Sequence, residues 1–217
     1  MVLVTLEGID GSGKSTLLAG LKEQLAALSP VFTREPGATW VGESVRRAIA
    51  EQIDPVCEAT LFVADHAAHL ATVVRPALAT HRLVISDRYS DSRFAYQSVT
   101  LDGIIPEPER WLRAMHDGWS IVPDKTFLLV IPVDDALARL STKSGREHFE
   151  RREVLEKVQN RYLEFAKAEP ERFVIVDALL DKDEVARFVA EGIRLVVAEG
   201  KKHTKRKISG HLHTGNR

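Results

Sequence analysis

Cysteine is nearly absent: Cys57 is the single one in 217 residues. No internal disulfide can form, so a reducing cytoplasm is the simplest compartment, and Cys57 is expected to be an inert buried thiol. Missing too is any uninterrupted apolar stretch near the roughly 20 residues that a membrane helix needs. The chain therefore reads as soluble. Met1 to Glu7 form a strand-like apolar run without a basic n-region or a small-residue cleavage site, so no secretory signal is expected. Internal repeats are lacking, and low complexity is confined to the basic end.

With 44% hydrophobic residues the chain is long enough to bury one substantial core. Its formal net charge of −1 hides an asymmetry, because Lys201, Lys202, Lys205, Arg206, Lys207 and Arg217 follow the last acidic residue, Glu199. Without these six, 24 basic residues face 31 acidic ones, a body charge of about −7. Such a body is unsuited to binding nucleic acid broadly. The tail at 200–217 reads as a disordered basic extension able to touch RNA or an anionic surface. Its histidines, His203, His211 and His213, lack a Cys or carboxylate to complete a metal site.

Short apolar runs alternate with helical patterns. VLVTLE precedes a helix expected from Ser15 to Leu28; VFT precedes helices reaching about Leu78; LVIS, TFLLVIP and FVIVDA follow, separated by further helical stretches. This alternation predicts an α/β fold, a five-stranded parallel sheet with helices on both faces. The strands are apolar almost throughout, as burial of both faces requires. Leu17, Leu18, Leu21, Leu25 and Leu28 share one side of the first helix, the side expected to pack on the sheet. Residues 1–199 are read as one domain. Within it, the polar and basic stretch at about 139–152 reads as a short mobile lid over something anionic.

Gly8-Ile9-Asp10-Gly11-Ser12-Gly13-Lys14-Ser15 fits G-x-x-x-x-G-K-[ST] between a strand and an amphipathic helix. In such a loop the glycines let backbone N–H groups curl around phosphate oxygens, and the helix N-terminus adds favourable partial charge. Lys14 is placed to reach the β and γ phosphates of a bound nucleotide, and the Ser15 hydroxyl to ligate Mg²⁺. Arg34, in Thr33-Arg34-Glu35-Pro36-Gly37, ends the second strand, where a forked guanidinium can grip another anion. Asp87-Arg88-Tyr89 ends the third: Asp87 can hold Mg²⁺ through water, and Arg88 can bridge two phosphates. Facing phosphate sites imply transfer between phosphates rather than hydrolysis.

GIDGSGKST, TREPG, the helix LFVADHAAH, the run VISDRYSDSRFAYQ and the RYLEFA helix from Arg161 together resemble the thymidylate kinase family, over roughly residues 1 to 195. The resemblance implies a P-loop kinase fold and transfer of the γ-phosphoryl group of ATP to dTMP. It makes Gly8 through Thr16, with Arg139, the ATP-binding set, and Arg34 the holder of the acceptor's 5′-phosphate. Phe62 would stack on thymine, Asp10 would sit beside the acceptor sugar, and Arg88 would clamp the phosphates. Tyr96 and Gln97 match a pair whose ring lies under the sugar and disfavours a 2′-hydroxyl. A homodimer is implied by the same resemblance.

Two departures stand out. The family's base-edge Arg falls on His66, which can still donate to thymine O4. The P-loop carries Gly11-Ser12 and lacks the Arg found in other members, so transition-state charge is expected from the lid. Family arginines there fall on Lys143 and His148, which leaves Arg146, with Lys143 beside it, as the catalytic cation. A kinase for another nucleotide or deoxynucleoside, and a non-catalytic nucleotide-binding relative, remain open at this point.

Overall fold

The computed structural model describes the backbone of residues 1–141 and 148–211, with side chains to residue 200 except at 142–147. Lys143, Arg146 and the tail histidines thus lie outside the described side chains. Five parallel strands form one sheet in the order β2-β3-β1-β4-β5: β1 (Val2–Glu7), β2 (Val31–Arg34), β3 (Leu83–Asp87), β4 (Lys125–Val130) and β5 (Phe173–Asp177). The expected α/β architecture is present.

Every residue of β1 is buried, the consequence of a central position with both faces covered. Neighbouring side chains leave a strand on opposite faces. Val2, Val4 and Leu6 accordingly join the larger core with Leu17 and Leu21 of α1 (Lys14–Gln24), while Leu3 meets Leu70, Val74, Leu78 and Tyr89 in a smaller cluster. Leu25 is also buried, and Leu18 and Leu28 pack against the same core. The regular helix stops at Gln24, however, and Ala26–Leu28 form a tight 3₁₀ turn ending at Ser29 in the left-handed region (φ 46°). Apolar period continues through that turn, so periodicity alone overruns the true end.

The helices that follow β2 are α2 (Trp40–Glu51), capped by Thr39, and α3 (Pro55–His69). Asp54 caps α3, its carboxylate accepting from the N–H groups of Val56 and Cys57 at 3.0 Å, with Pro55 in the first turn. That start places Cys57 on an exposed first turn, contrary to the expected burial. Beyond a π-helical stretch, Leu70–Val74, lies α4 (Arg75–Ala79). The later helices are α5 (Ser90–Thr100), α6 (Pro108–His116), α7 (Val133–Leu140), α8 (Arg152–Ala168) and α9 (Lys182–His211). Among the described residues no helix is long and apolar enough to cross a membrane.

Sheet register positions the chemistry. Asp87 pairs with Leu6 on one side and Arg34 on the other, so the carboxyl ends of β1, β3 and β2 lie abreast. Motifs separated by up to 80 residues in sequence thereby open on one crevice.

Candidate active site

The loop after β1 can only be built with glycine at its ends. Gly8 has φ 140°, and a Cβ there would come within 2.4 Å of the Leu129 carbonyl oxygen; Gly13, the residue before α1, has φ 97°. No side chain among the described residues caps α1, which leaves its first N–H groups to an anion. Lys14 folds back into this loop, its Nζ donating to the carbonyls of Gly8 (3.0 Å) and Ile9 (2.9 Å). Burial, with the Arg88 cation nearby, pushes its ammonium down to about 8. A polyanion is the natural counter-charge for it.

A cavity of about 870 Å³ opens beside the loop. Lys14, Ser15 and Thr16 line it together with Arg34, Asp87, Arg88 and Arg139. Arg139 reaches over the loop, donating to the carbonyls of Gly11 (3.5 Å) and Ala178 (3.1 Å). Arg34 is exposed, whereas Arg88 is tightly tethered. Arg88 adopts φ 66°, a conformation uncommon for a residue with a Cβ. Its backbone N–H donates to Leu6 O at 3.0 Å, and Ser86 Oγ donates to its carbonyl at 2.7 Å, which holds the turn. Its guanidinium donates to Gly8 O, Ser92 Oγ and Asp10 Oδ1. Although burial opposes ionisation of Asp10, Arg88 and Lys14 beside it hold the carboxyl below its ordinary range. Tyr96 OH donates to Asp10 Oδ2 at 2.8 Å and receives the Asp10 N–H at 3.0 Å.

Beneath Arg88 lies Glu7, fully enclosed, accepting from Ser92 Oγ (2.6 Å), Tyr162 OH (2.9 Å) and the Tyr89 N–H (2.8 Å). Burial, aided by repulsion from Asp91, pushes its carboxyl up to about 7. Asp87 Oδ1 is enclosed without a hydrogen-bond partner among the described residues. An orphaned carboxylate oxygen beside Ser15 suits a divalent cation, directly or through water.

A second cavity shares Asp10, Glu35, Pro36, Ile49 and Arg88 with the first and is completed by Phe62, Ser92, Arg93, Tyr96, Gln97 and Phe149. Phe62, Tyr96 and Gln97 thus meet as the motifs suggested. His66 does not line either cavity. It is 0% exposed, with Nδ1 2.8 Å from Glu35 Oε1 and Nε2 2.8 Å from Ser120 Oγ. His66 and Phe62 do share a face of α3, but one turn of helix carries His66 behind the cavity wall.

Sequence reasoning passed over Glu35 and Arg93, which are ion-paired in the interior. His69 Nδ1 donates to Glu35 Oε1 at 2.6 Å. Burial opposes a charge on Glu35, but Arg93 and then His66 hold its carboxyl well below the usual carboxylate range. Burial lowers His66, keeping the imidazole neutral beside the guanidinium. Glu35 stood next to Arg34 in the phosphate motif, and Arg93 lies one helical turn before Gln97; that i, i+4 spacing was the available signal.

A family model described as thymidylate kinase matches residues 6–189. The chain belongs to the thymidylate kinase family. It is 68% identical over 193 residues to a probable thymidylate kinase of Methanoculleus marisnigri, covering 89% of this chain and 94% of that protein. Probable thymidylate kinases of Methanospirillum hungatei and Methanosarcina mazei are 58% and 46% identical; the matches cover 89% and 88% of this chain and 94% of each relative. Members of this family are nucleoside monophosphate kinases, and this chain is a phosphotransferase of that class.

Proposed function

We propose that this thymidylate kinase moves the γ-phosphoryl group of ATP onto dTMP, giving ADP and dTDP, with the residues assembled above in the roles their positions suit. The observation that carries the reading is a single cavity lined by Lys14, Arg34 and Arg88, sharing lining residues with a pocket that bears Phe62 and Tyr96. Donor phosphates bind on the P-loop N–H groups and Lys14. A neighbouring cavity of about 230 Å³, lined by Thr16, Arg139, Ala178 and Leu180, takes the donor's nucleoside end. The acceptor phosphate sits between Arg34 and Arg88, its sugar beside Asp10 and Tyr96, and its base against Phe62.

In this arrangement the acceptor's phosphate oxygen is already a competent nucleophile, so no strong general base is required. Catalysis rests on in-line alignment and on positive charge around the transferring group. Arg88 cannot drift, because Gly8, Asp10 and Ser92 fix its fork. Ser15 and Asp87 would hold Mg²⁺. When bound, Mg²⁺ neutralises charge on the β and γ oxygens. Arg146, with Lys143 beside it, adds charge from a lid at about 139–152, which on closing excludes water as a competing acceptor. We read residues 1–199 as one catalytic domain with a basic tail at 200–217, acting as a cytoplasmic homodimer.

A coupled ADP-release assay with ATP, Mg²⁺ and an acceptor panel tests the proposal. Turnover with dTMP and none with thymidine is expected. Thymidine phosphorylation without dTMP turnover would make the protein a nucleoside kinase, and inertness toward every acceptor would make it a binding protein.

A further inference from the structure

The wall of the second cavity presents an arginine that no phosphate motif accounts for. Arg93 is 2% exposed, yet it lines the cavity with Phe62 and Gln97. One edge of its guanidinium is clamped: Nη2 contacts Glu35 Oε2 and lies 2.9 Å from His66 Nδ1, while Nε lies 3.3 Å from His116 Nε2. Glu35 is itself held by His69, whose Nε2 meets Thr33 Oγ1 at 2.7 Å. Nη1 makes no hydrogen bond among the described residues. One turn further along α5, Gln97 also lines the cavity, and its Nε2 is enclosed without a partner among the described residues. Nη1 is thus the guanidinium nitrogen left to a ligand in the space lined by Phe62, whereas the Gln97 amide nitrogen is closed off behind the cavity surface.

We infer that Arg93, rather than His66, determines base specificity, with Nη1 donating to the 4-carbonyl oxygen of a pyrimidine acceptor. Glu35 is the positioning residue that holds the guanidinium against the cavity. The inference rests on the proposed dTMP kinase activity and assigns the part of the acceptor that the phosphate motifs leave unread. Guanidinium nitrogens donate and cannot accept. A 4-keto base satisfies them, whereas the 4-amino group of cytosine would oppose donor to donor and leave the Nη1 N–H groups unsatisfied.

The test compares kcat/KM for dTMP, dCMP and the deoxynucleotide of 2-pyrimidinone, which lacks the 4-oxygen, in the full-length enzyme with ATP and Mg²⁺. Arg93→Lys keeps a charge opposite Glu35. The paired change Glu35→Gln with Arg93→Gln removes both charges together, so that neither is stranded if the single variant folds poorly. In either variant the preference for dTMP over dCMP should fall by about 10²-fold, the scale of one charge-assisted hydrogen bond. The penalty for losing the 4-oxygen should shrink in step, through KM for the acceptor, with KM for ATP unchanged. His66→Gln should lower activity on all three acceptors alike and keep their ratios. Variants that turn over dTMP with parental ratios would overturn the inference and leave the kinase reading intact, as would a His66→Gln enzyme that alone loses the preference. If the unaltered enzyme does not use dTMP, the kinase reading falls and the inference falls with it.

Discussion

The two ends of the crevice use charge in opposite ways. At the phosphate end, Lys14 and Arg34 line an open cavity, and among the described residues the N–H groups opening α1 are uncapped and one Asp87 oxygen has no partner. At the base end, Glu35, His66, His69 and Arg93 are as deeply enclosed as the leucines of the core, and they bind chiefly one another. Unmatched charge in the first region awaits a ligand that brings its own. Matched charge in the second has no such need; it costs desolvation and returns orientation. Adjacent residues make the point, since Arg34 belongs to the first regime and Glu35 to the second.

The sharpest way to break the comparison is at Lys14. Lys14→Ala should lower turnover by about 10²–10³-fold, as loss of a preorganised transition-state donor does, while far-UV circular dichroism and melting stay close to parental. A folded variant with near-parental turnover would remove Lys14 from the phosphate end.

Next come the neighbours. Arg34→Ala strands nothing, so stability should change by no more than about 0.5 kcal/mol while KM for the acceptor rises strongly. Glu35→Ala leaves Arg93 buried without its carboxylate, which costs about 3–5 kcal/mol. For a chain of this size that corresponds to a fall in Tm on the order of 10 °C, read by calorimetry. Equal Tm values for the two variants would erase the distinction between the regions.

These neighbours also mark what sequence could reveal. Phosphate ligands come from contiguous loops at strand ends, and the register Leu6–Asp87–Arg34 brings together residues that each motif already announced. Lys14, Ser15, Asp87, Arg88 and Arg34 duly line one cavity. The base end is assembled from β2, α3, α5 and the segment around Ser120, and its partners lie 27 to 58 residues apart. No local pattern records that Glu35 belongs to Arg93. His66, four positions after Phe62, shares its face of α3, but which side chain reaches the cavity depends on what stands behind that face. Cys57 shows the same limit at smaller scale: its residue type suggested burial, but the side on which the first turn of α3 opens is set by the fold.

A milder intervention sits under the phosphate end, at Glu7. Its folded-state carboxyl is raised to about 7 from an ordinary 4.5, so between these values the folded protein holds a proton that the unfolded chain releases. The associated stability is complete below about 4.5 and is lost as pH rises through 7. Glu7→Gln abolishes that titration. The Tm of the variant relative to the parent should therefore climb between pH 5 and pH 8, and a flat difference across the window would place the Glu7 titration elsewhere.

The smallest expected effect lies where the two regions join, at Tyr96. Its hydroxyl donates to Asp10 Oδ2, while its ring packs perpendicular to Phe149 with centroids 5.5 Å apart and carries the Arg88 guanidinium 5.0 Å above it. The hydroxyl belongs to the charged network and the ring to the wall of the base-side cavity, so the two functions separate by substitution. Tyr96→Phe keeps the ring and removes the hydroxyl's two hydrogen bonds with Asp10, together worth about 1–2 kcal/mol, which predicts a loss in kcat/KM for dTMP of about 5–30-fold. Preference for dTMP and dUMP over UMP should survive in that variant, because the ring still occupies the space a 2′-hydroxyl would need. Tyr96→Leu should relax the preference by removing the flat ring that excludes the hydroxyl. Steady-state kinetics on the three acceptors with both variants decides between the functions. If Tyr96→Phe alone makes UMP as good an acceptor as dTMP, sugar choice belongs to the hydrogen bond with Asp10, and the boundary between the two regimes moves inward by one side chain.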